Sequence, residues 1–256
     1  MKKLVLLFFF IFLYANSYNL VKNIIGNNKY NTYKNLIKTS LDKNASIKQV
    51  LIFIKNNGFL NLKFQKPKII YPSFVFTSSN DLLKTKILYE SLNKMGFYDF
   101  YPVQITKDRK YKITLKINSL NKIDPLDFYN ILNQHGCNIT NITNDENFTY
   151  DIKCTNPQIN TYYLKDSFSH FYNIKGVYWF RADNYSKVYI KTSKYDFFYP
   201  YIVFYDKNLN ILNIITSKNI KRKLILKIPT GCFYIKIEDS YTKENINRGI
   251  FIKGIK

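Results

Sequence analysis

The sequence predicts an α+β chain, a mixed helix-and-strand first part followed by an all-β sandwich of jelly-roll type, and three observations predict it. Three helix-like stretches each stop at a glycine and lead into a strand-like stretch. Around Thr155-Asn156-Pro157-Gln158 the helix signals end. From there to Lys256 come seven short strand-like stretches separated by turn clusters, the pattern of two packed sheets. The expected organisation is a leader over 1–17, a helical region over 18–72, a mixed domain over 73–156 and a β-sandwich over 157–256.

Taken in order, Asn19 to about Asp42 reads as polar helix, with Leu20, Ile24, Ile25, Leu36, Ile37 and Leu41 as its apolar positions and a break near Gly26. Ile47–Asn57 reads as a helix ended by Gly58 and followed by the strand FLNLKF. Leu82–Met95 is a second, ended by Gly96 before FYDFYPVQI, and Pro125–His135 a third, ended by Gly136 before CNITNI. Each glycine suits the left-handed position that stops a helix. Ser46 with Gln49 fits a capping box, and Asp124-Pro125 fits an N-cap followed by the first helical residue. Apolar spacing agrees: Ile47, Val50, Leu51 and Ile54; Leu88, Leu92 and Met95; Phe128, Ile131 and Leu132. Phe74–Thr77 and Lys110–Ile117 read as strands, the second alternating Tyr111, Ile113, Leu115 and Ile117 against Lys and Thr.

Seven strands are expected in the second part: Val177–Ala182, Lys187–Thr192, Tyr201–Tyr205, Asn210–Ile214, Lys223–Ile228, Cys232–Glu238 and Gly249–Ile255. From Ser73 to Cys154 the order is strand, helix, strand, strand, helix, strand, with a hairpin return. This order resembles the split βαββαβ unit of ferredoxin-like folds, and in size and order the SPOR peptidoglycan-binding domain. YIVFYDKNLNIL and IPTGCFYIKIED resemble the bacterial pre-peptidase C-terminal domain and related carbohydrate-binding sandwiches. In those, a strand ends in a Tyr-Asp turn and a later Gly leads into an aromatic strand; here these are Tyr205-Asp206, Leu209 and Gly231 to Tyr234. Both resemblances imply binding modules, and neither transfers a site residue.

Residues 1–17, MKKLVLLFFFIFLYANS, read as a secretory signal peptide. Lys2 and Lys3 form the charged region, Leu4 to Tyr14 the apolar region, and Ala15-Asn16-Ser17 puts small residues at −3 and −1, so cleavage is expected before Tyr18. The rival reading is a membrane anchor, but the apolar run has eleven residues and a spanning helix needs about 20. The protein is therefore expected to be periplasmic or secreted, touching membrane only transiently through the leader. The net charge is +22, carried mainly by scattered Lys with only four Arg. Arg is the usual phosphate fork, so the pattern reads as a solvated basic surface and not as a nucleic-acid site.

Cys137 and Cys154 flank a predicted hairpin. A turn centred between Asp145 and Glu146 pairs Thr143 with Phe148, Asn141 with Tyr150, Ile139 with Ile152 and Cys137 with Cys154. Directly opposed strand residues lie about 4.5–5.5 Å apart at Cα, within reach of a disulfide, and export permits the bond. Two reduced core cysteines are the alternative. Cys232 is left over, either buried or available to another chain.

No catalytic motif stands out. His135 falls at the end of its helix, a capping position. His170 lies beside Ser167 and Ser169, but neither serine is in a nucleophile elbow. No metal-ligand spacing exists among the cysteines and histidines, and no cofactor is expected. Asp183, Asp206, Glu238, Asp239 and Glu244 fall at strand ends or turns. They suit turn chemistry, with glycoside hydrolysis or Ca²⁺ binding as alternatives. The aromatic clusters offer more. Trp179 and Arg181 share one strand face, opposite Tyr178 and Phe180; one face fills a core and the other is a candidate for stacking on sugar rings or for a protein contact. The candidate ligand-binding residues are Trp179, Arg181, Tyr199, Tyr201 and Tyr205. The expected function is an exported, non-enzymatic protein that binds an envelope protein or cell-wall glycan. The alternatives are an envelope glycan or peptide hydrolase using the turn carboxylates, and a secreted toxin or host-binding factor.

Overall fold

A computed structural model describes residues 16–77, 81–145, 147–182 and 184–256. The expected leader, apart from Asn16 and Ser17, lies outside the described residues, as does Asp183. The fold is mixed and mostly β, with six α-helices and fifteen strands among the described residues. It divides into two compact units, one within Met1–Ser79 and Ser91–Pro157, the other within Asn80–Glu90 and Gln158–Lys256.

The first unit opens with three short helices, α1 (Ser17–Ile25), α2 (Asn27–Thr32) and α3 (Lys34–Ser40), in place of one broken stretch. The Asn16 side chain caps α1 by accepting from the Tyr18 N–H. Helix α4 (Ile47–Asn56) carries the predicted capping box, with Ser46 and Gln49 bonded reciprocally. The next strand, β1 (Lys63–Ile70), starts later than FLNLKF suggested. Phe59 instead completes the end of α4: its N–H reaches the Ile54 carbonyl at 3.1 Å, and its ring packs beside Phe53 and Tyr33. Then follow β2 (Ser73–Phe76), α5 (Asp81–Lys94), β3 (Phe100–Lys107), β4 (Tyr111–Asn121), α6 (Pro125–Gln134), β5 (Cys137–Asp145) and β6 (Asn147–Cys154). Residues Asp81–Glu90 of α5 group with the second unit.

Strand β4 organises the six-stranded sheet. It pairs with β3 along one edge and with β2 and β1 along the other, all antiparallel. Its Tyr111, Ile113, Leu115 and Ile117 are buried, as their alternation predicts. Strand β2 then pairs in parallel with β6, and β5 takes the sheet edge beyond β6. The strand that follows α6 is thus not the one that meets β2; its hairpin partner is.

The hairpin holds the predicted disulfide. Cys137 is opposite Cys154, their Cα atoms are 4.0 Å apart and the sulfurs are bonded. Ile139 is opposite Ile152 as expected, but the remaining predicted pairs are corrected. A bulge between Ile139 and Asn141 shifts the register by one, so Asn141 faces Asp151, Ile142 faces Tyr150, Thr143 faces Thr149 and Asn144 faces Phe148. The reason is in the spacing. Ile139 and Ile142 are three residues apart, and a regular strand cannot turn both to one face. The bulge does so, and both are buried. The Thr140 hydroxyl donates to the Asp151 carbonyl at 3.2 Å and the Asn141 amide to the Asp151 carboxylate at 3.1 Å, holding the extra residue.

The second unit contains β7 (Tyr162–Tyr163), β8 (Ser169–Phe171), β9 (Tyr178–Arg181), β10 (Lys187–Thr192), β11 (Pro200–Tyr205), β12 (Ile211–Thr216), β13 (Lys223–Lys227), β14 (Tyr234–Asp239) and β15 (Ile250–Ile255), with a 3-10 turn at Lys243–Ile246. The seven predicted strands are present with small shifts at their ends; β7 and β8 are additions too short to carry an alternation. They form a four-stranded sheet, β13-β10-β15-β8, and a five-stranded sheet, β12-β11-β14-β9-β7. Val188, Ile190, Ile250 and Ile252 from the first join Tyr178, Phe180, Ile202, Phe204, Ile235 and Ile237 from the second in one buried cluster.

Candidate binding face of the five-stranded sheet

Because Tyr178 and Phe180 fill the core, strand alternation sends Trp179 and Arg181 to the opposite face. Cross-strand register gathers their neighbours. Lys236 of β14 is paired with Trp179 on one side and Val203 of β11 on the other. Tyr201 is paired with Glu238, and Tyr205 with Tyr234. One face therefore carries Trp179, Arg181, Tyr201, Tyr205, Lys236 and Glu238, all half-buried, around the buried Val203 and Tyr234.

The centre of this face is a stack. The Trp179 and Tyr205 rings lie 5.3 Å apart at an interplanar angle of 26°. Lys86, in the part of α5 that groups with this unit, holds its Nζ 4.3 Å from the Trp179 ring centre, within cation–π range. Lys86 is itself paired with Glu90 at 2.9 Å, and Glu90 accepts from the Asn160 N–H. Lys236 bonds Glu238 at 2.6 Å and sits 5.8 Å from the Tyr201 ring. Burial, with Tyr201 and Glu238 nearby, raises the pKa of Tyr205, so its phenol stays protonated at neutral pH.

The five predicted residues do not form one patch. Trp179, Tyr205 and Tyr201 share the centre. Arg181 lies to the side, its guanidinium 4.4 Å from the Phe233 ring and 5.8 Å from that of Tyr163. Tyr199 precedes β11 and packs edge-on against Tyr241, with ring centres 4.9 Å apart. Lys86 and Lys236 were missed. Lys236 was legible from the alternation of FYIKIED, which puts it on the face away from Ile235 and Ile237. Lys86 was not, because nothing local links it to a strand more than ninety residues on.

Of the turn carboxylates that the sequence singled out, the four described ones, Asp206, Glu238, Asp239 and Glu244, are engaged in local structure. Asp206 accepts from the N–H groups of Asn208 and Asn210 and from the Asn210 side chain, closing a turn in which Leu209 adopts φ 64°. Partial burial opposes its ionisation, yet these hydrogen bonds prevail and lower its pKa. Asp239 accepts from the N–H groups of Tyr199, Tyr241 and Thr242. Glu244 accepts from the Thr242 hydroxyl beside the 3-10 turn. His135 is the buried C-cap of α6. His170 stacks on Phe251 and has its Nε2 2.8 Å from the Arg248 carbonyl. Among the described residues no group of three or more His, Cys, Asp or Glu side chains is placed to hold a metal ion. Cys232 is buried in the core cluster, where desolvation pushes its thiol up to about 11. No protein-family model matches the sequence, and no match is found among curated proteins.

Proposed function

We propose that the protein is an exported, non-enzymatic binding protein of the periplasm or the outside of the cell, in which a helical, ferredoxin-like part precedes a β-sandwich. Its partner is an envelope protein or a cell-wall glycan, taken by the outward face of the five-stranded sheet. The observation that carries the reading is the Trp179–Tyr205 stack with Lys86 over the indole. An aromatic platform beside cationic donors suits sugar rings, whose apolar faces stack while their hydroxyls find partners. The Cys137–Cys154 bond supports export, since such bonds persist in oxidising compartments. No described helix is long and apolar enough to cross a membrane. The element order from β2 to β5 supports the ferredoxin-like reading, although β6 and not β5 lies beside β2, and the shared core of the two sheets supports the sandwich. The hydrolase alternative has less support, because turn capping already accounts for Asp206, Asp239 and Glu244.

The test is retention of the purified full chain on isolated cell-wall sacculi, together with crosslinking in cells and mass spectrometry of captured partners. Retention or a reproducible envelope partner is expected, and Trp179→Ala and Tyr205→Ala should each weaken it at least tenfold. A chain that is neither retained nor crosslinked, or one whose capture ignores both substitutions, refutes the reading.

A further inference from the structure

The first unit contains a cleft of about 600 Å³, and the sequence singled out none of its lining residues for binding. That volume lies within the range of small-molecule sites, about 300–1,000 Å³. Its walls are the end of α5 with Met95, Gly96 and Phe97, the end of β4, the Lys122 connection, the first turns of α6, and Leu62–Lys63 at the start of β1.

The walls are held in place. The Lys122 N–H donates to the Leu62 carbonyl at 2.8 Å, and Lys63 is paired with Asn121. The Lys94 ammonium reaches Gln134 at the far end of α6 at 2.5 Å. Gly96, at φ +88°, turns the chain out of α5 into the wall.

Charge indicates the ligand. Asp124 and Asp127 line the cleft, but Lys55 bridges both, at 2.9 and 2.8 Å, and Asp124 also caps the Leu126 N–H. Those carboxylates are compensated from outside the cleft. Lys63, Lys94 and Lys122 add positive charge, and none of the three is ion-paired with a carboxylate among the described residues. Ser119, Asn121 and Asn130 add neutral hydrogen-bonding groups, and Phe97 with Ile131 adds apolar wall. A net positive, hydrogen-bonding and part-apolar concavity matches a hydroxylated ring bearing an oxyanion.

We infer that this cleft binds a sugar-sized ligand carrying a carboxylate or phosphate, independently of the aromatic face in the other unit. Four probes test it by titration calorimetry on the full chain: digalacturonate, glucose 6-phosphate, inorganic phosphate and the neutral disaccharide maltose. At least one of the two anionic sugars should bind ten times or more tighter than maltose, and which one binds identifies the oxyanion. Lys122→Gln and Lys63→Gln should each weaken that probe at least threefold, with circular dichroism and the Cys137–Cys154 bond unchanged. Trp179→Ala should leave it unaltered, so that failure of the aromatic face and failure of the cleft give different results. No binding of either anionic sugar at millimolar concentration, equal binding of maltose, inorganic phosphate binding as well as either anionic sugar, or indifference to both lysine substitutions overturns the inference.

Discussion

Lys55 illustrates how much one side chain gathers that its sequence neighbours do not announce. It lies in the last turn of α4, yet its ammonium bridges Asp124 and Asp127 at the start of α6. Hydrogen bonds that its ammonium donates to Asp127 and then Asp124 raise its pKa above 10.5 despite some desolvation. A raised pKa means that its contribution to stability is complete below pH 10.5 and disappears as the pH climbs through the folded-state value. Lys55→Met should lower stability by less than about 1 kcal/mol at pH 8, because the group is partly exposed and screened. The difference from the parent should shrink toward pH 12; urea midpoints at the two pH values measure it. Cys232 makes the opposite statement. With its thiol at about 11 inside the core, iodoacetamide at pH 8 should leave it unlabelled in the folded chain and label it fully in denaturant. The caps at Ser46 and Asp124 were legible in the sequence because a cap is a local event. The Lys55 bridge was not, since it depends on two helices meeting.

The β5–β6 hairpin shows the same division at the level of elements. The turn cluster, the alternation of Phe148, Tyr150 and Ile152, and the cysteine spacing predicted the hairpin and its disulfide. The register failed halfway because a strand's side-chain period is two and the Ile139–Ile142 spacing is three. That mismatch was itself a readable sign of a bulge. If Thr140 is only the inserted residue, deleting it should give a regular strand with both isoleucines still inward and Cys137 still opposite Cys154. The deletion variant should therefore keep its disulfide and a cooperative melt, whereas Ile142→Asn should abolish both; non-reducing peptide maps and calorimetry distinguish them. Replacing Cys137 and Cys154 by serine should cost about 3 kcal/mol in a denaturant titration, the value for a loop of this length in the chain-entropy model. Gly136 was predicted as a helix stop, but its stricter constraint is tertiary: a Cβ there would lie 2.1 Å from the Asn156 carbonyl oxygen. Strand order was not legible at all. That β6 and not β5 lies beside β2 depends on which hairpin strand docks, and both carry strand-like patterns.

At the scale of the whole molecule, a net charge of +22 will draw the chain to any polyanion. Retention on sacculi should therefore have two components. The part due to net charge should disappear by about 0.5 M NaCl, where screening is within a few Å. The part due to Trp179 and Tyr205 should persist, and salt-step elution of the parent and Trp179→Ala chains separates the two. The second unit was the more legible half, because seven alternating strands need only periodicity to be found. Which of their faces is core follows only once the two sheets contribute to one cluster. The arrangement of Trp179 has one more use. It is the chain's single tryptophan, it belongs to the second unit, and the disulfide belongs to the first. Indole emission therefore reports on one unit alone, and reduction perturbs only the other covalently. A single sample can show, by the colour of its fluorescence before and after a reductant, whether the two units unfold together or separately.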